Sequence, residues 1–335
     1  MTSLEGRTIL KDGSNPSVTV VMPCLNEENS IGKAIASLVD GFFIERAELL
    51  IIDGGSTDKT LDEIAPFIAR GLSIRILHNP DRLQSYAMNL GIREARGSVI
   101  ARADAHCIYP AGYLRSCLEL LEKERVQNAG GTFYPVGEMS LQRDIAFAMR
   151  HPLGAGGCKF KKDDYRGFAE GAYAGMFPKE VFATIGDFDP KAHPNEDSEL
   201  NIRILASGGK IFVDSAIKVV YRPRKTIRAL ARQFFHYGAG RCYTTLKHRR
   251  FTSLRQLVPV LLLPLILLSF LLALWNVSFI ILPLAYLLCV LGSALSYGYG
   301  ETVGFGSRLA IAACLVVMHL SWGAGFLKRL VSVKP

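Results

Sequence analysis

Polar clusters that could carry chemistry follow three short β-rich runs in the first third of the chain. The sequence P-C-L-N-E-E occupies 23–28, D-G-G-S-T-D occupies 53–58, and A-D-A-H occupies 103–106. Each cluster has a structural explanation by itself, because Ser30 or Thr57 could cap a helix and Asp104 could belong to a turn. Since parallel strands end at one edge of a sheet, three such clusters together favour a ligand site.

The residue types in these clusters suit a nucleotide diphosphate. The Asp53 carboxylate could accept a hydrogen bond from a uracil imide N–H, and Asn26 or Glu27 could hold ribose hydroxyls. Asp104 and His106 lie two residues apart, on the same side of an extended segment. This spacing suits a divalent metal held between the protein and two phosphates, where the ion would neutralise a departing diphosphate.

A further acidic cluster, N-E-D-S-E-L at 195–200, opens an amphipathic helix. Asp197 could serve only the helix, either as a cap or because its charge favours the helix dipole. Alternatively, Asp197 is a general base that deprotonates an acceptor hydroxyl. The residues alone are compatible with both interpretations.

Strands and helices alternate through residues 16 to about 222 and would position these clusters. Strands are predicted at 18–22, 49–52, 73–77 and 98–102, and helices at 30–39, 58–69, 82–96 and 111–123. This alternation predicts an α/β fold with a doubly wound, mostly parallel sheet that binds ligands beyond the carboxyl ends of its strands. No G-x-G-x-x-G follows the first strand and no G-x-x-x-x-G-K-[ST] occurs, so neither a dinucleotide site nor a P-loop is supported.

The composition is that of a folded chain with a basic balance. The 335 residues are 49% hydrophobic and 21% charged, which argues against disorder. The 39 lysines and arginines exceed the 30 acidic residues, and the net charge of +9 favours an anionic partner such as a nucleotide, a nucleic acid or a membrane surface. The seven scattered cysteines contain no C-x-x-C, which favours free thiols in a reducing compartment over a disulfide framework.

The C-terminal part is strongly apolar. No charged residue occurs between Arg255 and Glu301, and another uncharged run covers 309–327. Since a spanning helix needs about 20 apolar residues, we expect about three transmembrane helices in 256–330, one of which could instead be a re-entrant hairpin. Basic residues at 247–255 precede this region and no signal-peptide core occurs in 1–15, so the preceding domain is expected in the cytoplasm.

Residues 226–255 connect the two parts and predict one or two basic amphipathic helices. The apolar side carries Ile227, Leu230, Phe234 and Phe235. One interpretation is a solvated basic face. The other is a helix in the membrane interface, where it meets anionic headgroups and a lipid-linked acceptor.

The order of these motifs resembles glycosyltransferase family 2, the inverting sugar transferases with the GT-A fold. P-x-x-N-E, D-G-G-S-T-D, D-A-H and N-E-D-x-E-L-x-x-R occur in the order of that family. The chain is similar in particular to the ExoA-type, succinoglycan-biosynthesis branch through L-Q-S at 83–85, N-L-G-I at 89–92, D-A-H followed by Y-P at 109–110, and Q-F-F-H-Y-G at 233–238. The resemblance implies a GT-A type mixed sheet at 16–225, after an N-terminal extension at 1–15.

The resemblance also implies roles for individual residues. It places the nucleotide-sugar site at Pro23, Asn26, Glu27, Asp53, Asp104 and Gly175, with Gly175 as the point of close approach to the sugar. Asp104 and His106 would hold Mn²⁺ or Mg²⁺ with the diphosphate, and Asp197 would be the catalytic base with Glu196 beside it. Gln233 and Arg241 resemble the late Gln/Arg motif of the family and would contact the acceptor. The processive Q-x-x-R-W form is absent, which favours addition of a single sugar.

Two departures from the family pattern concern the donor site. The common D-D-G-S is D-G-G-S here, so a second carboxylate beside Asp53 is missing. The D-x-D element is Asp104-Ala105-His106, so one metal ligand would be a nitrogen, which Mn²⁺ tolerates better than Mg²⁺.

These expectations combine into one leading function. The chain would be an inverting glycosyltransferase that adds one sugar, glucose in β linkage, from a UDP-sugar to a polyprenyl-diphosphate-linked saccharide in bacterial exopolysaccharide assembly. A polyprenyl-phosphate sugar synthase is the nearest alternative, although its phosphate acceptor needs no hydroxyl base such as Asp197. A non-catalytic scaffold of an assembly complex is another.

The expected partners and location follow from the same function. The partners are the donor, the lipid-linked acceptor, membrane lipids and other polysaccharide-assembly proteins. No nucleic acid is expected, because the positive charge clusters beside the apolar runs. The chain is expected to cross the bacterial inner membrane several times, with its catalytic domain in the cytoplasm.

Overall fold

A computed structural model describes residues 16–155, 157–162, 164–249, 256–298 and 303–332. The predicted N-terminal extension at 1–15 and the basic residues Arg250 and Arg255 lie outside these described residues. The chain divides into two compact units, Met1–Tyr134 with Lys159–Tyr221 and Pro135–Cys158 with Arg222–Pro335. The division thus differs from the sequence-based boundary at 225/226, because the segment Pro135–Cys158 belongs to the second unit.

One sheet forms the first unit, with nine strands in the residues described. The strands are β1 Val18–Cys24, β2 Ala47–Asp53, β3 Ile74–His78, β4 Val99–Arg102, β5 Cys107–Ile108, β6 Asn128–Pro135, β7 Arg166–Phe168, β8 Tyr173–Pro178 and β9 Ile211–Tyr221. Their spatial order is β3-β2-β1-β4-β8-β6-β9-β5, and β7 pairs with β9. β1 to β4 run parallel, whereas β8 is antiparallel to β4 and β6, and β9 is antiparallel to β5 and β7. The predicted α/β fold with a mixed sheet is confirmed.

Helices cover this sheet and enclose its core. They are α1 Ile31–Leu38, α2 Gly41–Arg46, α3 Thr60–Ala69, α4 Gln84–Glu94, α5 Tyr113–Glu124, α8 Glu180–Ile185 and α9 Glu196–Ala206. β1 and β2 are buried almost throughout, as expected for central parallel strands that are covered on both faces. The core packs Val21 and Ile52 of the sheet with Met88 of α4 and Leu200 of α9. Because α9 contributes to this core, the first turn of α9 is held by the same packing.

The register of the parallel strands brings their carboxyl ends to one edge of the sheet. Cys24 of β1 lies opposite Asp53 of β2, and Asp53 lies opposite His78 of β3. Arg102, the last residue of β4, lies opposite Val21 of β1. The loops that follow β1, β2 and β4 therefore leave the sheet at the same edge, as the sequence predicted.

A buried carboxylate joins the central strands. Glu48, which is 1% exposed, accepts hydrogen bonds from the Thr19 hydroxyl at 2.7 Å and the Arg96 N–H at 2.8 Å. Arg75 of β3 donates to the same carboxylate through Nε at 3.2 Å and Nη2 at 3.1 Å. Because each oxygen has partners, this charge stays buried without the large penalty of an unpaired ion.

The second unit is helical in the residues described. Its helices are α6 Ser140–Arg150, α7 Pro152–Ala155, α10 Ile227–His248, α11 Leu257–Leu272, α12 Ile281–Ser296 and α13 Phe305–Ser332. In the described part of the basic segment, 226–249, where the sequence predicted one or two helices, there is a single helix of 22 residues, α10. α10 packs directly on α13: a Cβ on Gly238 would collide with the Trp322 carbonyl, and a Cβ on Gly325 would collide with the Phe235 carbonyl. The two backbones therefore approach closely at glycines that no larger residue can replace without a shift.

Two helices in the residues described are long and apolar enough to cross a membrane. The first is Val277–Ser296, 20 residues in which a 3₁₀ turn at Val277–Ile280 runs directly into α12. The second is α13, Phe305–Ser332, with 28 residues. The first apolar run, α11, has 16 residues and contains Pro264, so it extends only about 24 Å against a hydrocarbon core of roughly 30 Å. Where the sequence predicted about three spans, the structure thus contains two full-length candidates and one shorter apolar helix.

Candidate active site

The loops after β1 and β2 are joined by hydrogen bonds into one polar surface. The Asn26 N–H donates to Ser56 Oγ at 2.9 Å, and the Thr57 N–H donates to Asn26 Oδ1 at 2.8 Å. The Glu27 N–H donates to Thr60 Oγ1 at 2.7 Å. Asn26 has a φ of 56°, in the left-handed region that asparagine tolerates better than most residues. Asn26 therefore shapes the surface as well as contributing a polar group to it.

Asp53, the last residue of β2, is buried, and its carboxylate is fixed by its own loop. The Gly55 N–H donates to Oδ2 at 3.0 Å, and the Ser56 N–H and hydroxyl donate to Oδ1 at 3.1 Å and 2.6 Å. Cys24 Sγ also lies 3.8 Å from Oδ1, and the Ser56 N–H lies 3.2 Å from Oδ2, so these contacts use most of the acceptor sites of the carboxylate. The hydrogen bond from a uracil imide to Asp53 stays a prediction.

Asp104 follows β4 and lies at the centre of a buried hydrogen-bond network. Arg102 donates to Asp104 Oδ1 through Nε at 3.1 Å, and its Nη2 lies 3.0 Å from the same oxygen. Gln84 Nε2 donates to Oδ1 at 3.0 Å, and the Tyr173 hydroxyl donates to Oδ2 at 3.2 Å. Burial acts to raise the pKa of Asp104, but the charges of Arg102 and His106 hold this pKa below its usual value. Asp104 therefore stays ionised inside the protein.

His106 is held beside the first loop by Glu27. Its Nδ1 lies 3.1 Å from Glu27 Oε1, and the Ser30 hydroxyl donates to Glu27 Oε2 at 2.5 Å. The imidazole also packs edge-on against Tyr221 at 5.7 Å between ring centroids. Burial acts to raise the pKa of Glu27, but the contacts with His106 and Ser30 lower it overall. The structure thus links two residues, Glu27 and His106, that the sequence assigned to different parts of the donor site.

Asp197 and Glu196 form the first turn of α9, and Arg102 reaches this turn as well. Its remaining nitrogen, Nη1, is ion-paired with Asp197 Oδ2. The Asp197 side chain is 45% exposed, whereas the Asp104 side chain is 7% exposed. One guanidinium therefore joins a buried carboxylate, which the sequence assigned to the metal, to an accessible one, which it assigned to the base.

The two acidic residues of this turn have different pKa shifts. Desolvation raises the pKa of Asp197 to about 6; Arg102 opposes the shift, and the nearby charges of Glu196 and Asp104 add to it. Glu196 is 2% exposed, with Oε2 3.7 Å from His193 Nδ1. Burial acts to raise the pKa of Glu196, but His193 and Arg102 lower it overall. Asp197 is thus the residue whose pKa suits proton transfer near neutral pH.

A second arginine anchors α9 from its opposite side. Glu199, which is fully buried, is ion-paired with Arg203 one turn later at 2.8 Å. Arg203 also donates to the carbonyl oxygens of Ile185, of Gly186 at 3.0 Å and of Asp187 at 2.7 Å. The Glu and Arg of the N-E-D-x-E-L-x-x-R motif therefore fasten α9 to the loop after α8 and fix its acidic first turn.

Comparison with known proteins assigns the family. The model of the family described as glycosyl transferase family 2 matches residues 19–182. The chain is also 32% identical to the succinoglycan biosynthesis protein ExoA of Rhizobium meliloti (strain 1021), over 96% of this chain and 97% of that protein. The chain belongs to glycosyltransferase family 2. The family predicted from the order of the motifs is confirmed.

Two further proteins are similar to this glycosyltransferase. A dolichyl N-acetyl-alpha-D-glucosaminyl phosphate 3-beta-D-2,3-diacetamido-2,3-dideoxy-beta-D-glucuronosyltransferase of Methanococcus voltae is 27% identical over 67% of this chain and 72% of that protein. The solved structure of the mannosyltransferase PcManGT from Pyrobaculum calidifontis, in complex with GDP-Man and Mn²⁺, matches with a TM-score of 0.60 at 17% identity. The match covers 98% of this chain and 91% of that one. It shows a shared fold, and the predicted GT-A architecture is confirmed.

Other residues predicted for the donor site occupy well-defined places in the same unit. Pro23 lies in β1 opposite Ile52. Gly175 lies in β8, where a Cβ would collide with the Asn128 side chain and the Phe177 ring. This packing explains why glycine is needed at 175, and its approach to the sugar stays a prediction.

Gln233 and Arg241, predicted to contact the acceptor, lie on α10 in the second unit. Gln233 is 9% exposed, and its Nε2 donates to the Tyr237 hydroxyl at 2.8 Å. Arg241 follows one turn after Tyr237, so the three residues lie along the same side of the helix. Their contact with an acceptor stays a prediction.

Three residues of the site were missed or left without a role by the sequence analysis. Arg102 was read only as the end of a strand, Gln84 only as part of a motif, and Tyr173 was not considered. The role of Arg102 could have been found from the sequence, because it is a cation at the end of the β-rich run V-I-A-R, two residues before an aspartate. Buried cations of this kind require carboxylate partners. The contacts of Gln84 and Tyr173 with Asp104 could not have been found in this way, since they arise from tertiary packing.

The residues around Asp104 fit a divalent cation that takes further ligands from a substrate. Among the described residues, no group of three or more His, Cys, Asp or Glu is arranged to hold a metal ion. The contact of His106 Nδ1 with Glu27 resembles the carboxylate–histidine pairing of metal sites and would orient Nε2 as the ligating atom. Asp104 and His106 would supply one oxygen and one nitrogen, and a diphosphate and water could complete the coordination; this metal site stays a prediction.

Proposed function

We propose that this family 2 glycosyltransferase adds a single sugar from a UDP-sugar to a polyprenyl-diphosphate-linked saccharide in bacterial exopolysaccharide assembly. The observation that carries this proposal is the placement of Asp104 and Asp197 on one arginine at the carboxyl edge of the sheet. An inverting transfer needs a group that holds the departing diphosphate and a base for the attacking hydroxyl. It needs no second nucleophile, because no covalent sugar–enzyme intermediate forms.

Each residue of the site has one task in this reaction. Pro23, Asn26, Glu27 and Asp53 bind the nucleoside, and Gly175 leaves room for the sugar. Asp104 and His106 would hold Mn²⁺ or Mg²⁺, which supplies charge neutralisation to the departing diphosphate when it is bound. The Mn²⁺ named for PcManGT and the nitrogen ligand here both support Mn²⁺.

Asp197 takes the proton of the acceptor hydroxyl. With a pKa of about 6, most Asp197 carboxylates are ionised at pH 7, and the exposure of the side chain allows an acceptor to reach it. Glu196 remains ionised beside Asp197, and this second negative charge favours uptake of the proton by Asp197. General-base catalysis of this kind contributes about 10²–10⁴-fold to the rate.

The acceptor and the pathway are inferred from the relatives and from the second unit. The name of ExoA supports a role in succinoglycan-like exopolysaccharide synthesis, and the name of the Methanococcus voltae relative supports a lipid-linked sugar as acceptor. The two long apolar helices support a multi-pass protein of the inner membrane with a cytoplasmic catalytic unit. Gln233 and Arg241 on α10 would contact the acceptor, and glucose in β linkage is the product expected from the ExoA-type resemblance.

One assay tests the function against its two alternatives. Membranes that contain the full chain are incubated with a panel of UDP-sugars and with either extracted lipid-linked saccharides or polyprenyl phosphate. We expect UDP release and a lengthened saccharide only with the lipid-linked saccharide. Transfer to polyprenyl phosphate would instead identify a polyprenyl-phosphate sugar synthase, and no UDP release under any condition would favour a scaffold.

A further inference from the structure

Arg102 is a buried cation shared between carboxylates of the candidate site. It is 8% exposed, with two nitrogens on Asp104 Oδ1 and the third ion-paired with Asp197. Burial acts to lower the pKa of Arg102, but the charges of Asp104, Asp197 and Glu196 leave this pKa well above its usual value. One permanent positive charge thus serves three carboxylates.

We propose that Arg102 is a positioning residue that orients the Asp197 base and occupies, at Asp104, the place that a divalent cation takes when donor binds. The inference rests on the proposed function, because it assigns Asp104 to the donor and Asp197 to the acceptor. It concerns residues of this chain alone, since the contacts of Arg102 with both carboxylates are present in the structure described.

Competition at Asp104 follows from the hydrogen bonds of its carboxylate. Oδ1 already has contacts with Gln84 Nε2 and two nitrogens of Arg102, so a cation could bind this oxygen only by displacing a donor. A cation at Oδ2, near the Tyr173 hydroxyl, would still meet the positive guanidinium across one carboxyl group. In a site with little water, like charges this close repel strongly. Loss of Arg102 should therefore make Asp104 a better metal ligand.

Orientation of the base follows from the contact on the other side of the guanidinium. Asp197 is partly exposed, and its ion pair with Arg102 connects it to the end of β4. The planar guanidinium can reach both carboxylates at once, whereas the single ammonium of a lysine cannot reproduce this bridge. Because a displacement of about 1 Å can lower a rate by roughly 10²-fold, loss of the bridge should lower kcat although Asp197 itself is intact.

The test combines metal binding with turnover in the full-length protein. Binding of Mn²⁺ alone is measured by electron paramagnetic resonance, without donor, for the wild type and Arg102→Met. We expect Arg102→Met to bind Mn²⁺ at least about tenfold more tightly and to transfer sugar roughly 10²-fold more slowly. Added guanidinium ion should recover part of the rate. A purely structural arginine would give neither the tighter binding nor the rescue.

Arg75→Met provides the matched control. Arg75 also donates to a buried carboxylate, Glu48, but contacts neither Asp104 nor Asp197. We expect Arg75→Met to lower thermal stability while its Mn²⁺ affinity and kcat stay close to the wild-type values. Retained UDP binding shows that Arg102→Met is folded.

Two more variants keep the test decisive. If Arg102→Met does not fold, Arg102→Lys is used, for which we expect near-wild-type Mn²⁺ affinity but a kcat about tenfold lower. In Arg102→Met/Asp197→Asn, kcat should resemble that of Asp197→Asn alone, because both changes disable one group. Unchanged or weaker Mn²⁺ binding by folded Arg102→Met, wild-type kcat in Arg102→Lys, or multiplied losses in the double variant would overturn the proposal. Absence of UDP release by the wild type would instead refute the proposed function, and the Mn²⁺ measurements would still decide the role of Arg102.

Discussion

Replacement of Asp197 by asparagine isolates the proton transfer from the geometry of the site. The amide has the size of the carboxylate, and its oxygen can still accept a hydrogen bond from Arg102, but it cannot take a proton from the acceptor. We therefore expect kcat to fall by about 10²–10⁴-fold. Donor affinity should change little, because Asp53 and Asp104 are untouched. Initial rates of UDP release at saturating donor and acceptor measure the effect.

The pH dependence of the same reaction gives a second, independent readout. A base must be ionised to act, so wild-type kcat should fall as the pH drops through the Asp197 pKa of about 6, by roughly tenfold per pH unit below it. The residual activity of Asp197→Asn should lack this acidic limb. Asp214→Asn is the control, since Asp214 is likewise paired with an arginine, Arg166, at 3.2 Å but belongs to β9. A turnover of Asp197→Asn within about threefold of wild type, with the acidic limb retained, would refute the assignment of the base and direct attention to Glu196.

Three further predictions concern the metal, the anchor of α9 and the helical unit. Chelation with EDTA should abolish sugar transfer and added Mn²⁺ should restore it; full turnover in the chelator would contradict the metal assignment. His106→Ala should raise the Mn²⁺ concentration for half-maximal activity by about tenfold or more, with little effect on UDP binding. Arg203→Met should lower the free energy of unfolding of the first unit by about 3–5 kcal/mol in denaturant unfolding, because the buried Glu199 would lose its ion pair with this arginine. Replacement of both residues by apolar ones should recover much of that loss. Gly325→Val should lower the melting temperature and the yield of membrane-inserted protein, because a Cβ on Gly325 would collide with the Phe235 carbonyl. Gly292→Val is the control and should have little effect, since a Cβ on Gly292 meets no atom within 4 Å.

The sequence could predict the groups that follow the parallel strands because their placement depends on short-range rules. Asp53 ends β2 and Asp104 follows β4, and parallel pairing through β1 places both strand ends at one edge. The family followed from the order of motifs along the chain. These features require only strand periodicity and the known behaviour of parallel sheets.

Contacts that depend on tertiary packing could not be predicted in the same way. Arg102 and Asp197 are 95 residues apart in numbering, and their ion pair exists only because α9 packs on the same sheet as β4. The segment Pro135–Cys158 lies between strands of the first unit but belongs to the helical unit. Composition identified the apolar runs, but it could not show that α11 ends after 16 residues.

The net charge of +9 suggested an anionic partner, but the side chains predicted for the donor site carry negative charge. Glu27, Asp53, Asp104 and Asp197 converge on the same edge of the sheet, and Arg102 is already shared by two of them. A diphosphate that entered this site alone would meet negative charge, so we expect a divalent cation to accompany it. The excess of basic residues is therefore not needed for the proposed nucleotide site, and we expect it to serve an anionic membrane surface. A chelator should then abolish use of the donor without weakening attachment to anionic membranes. Added salt should weaken use of the lipid-linked acceptor more than it weakens use of the donor.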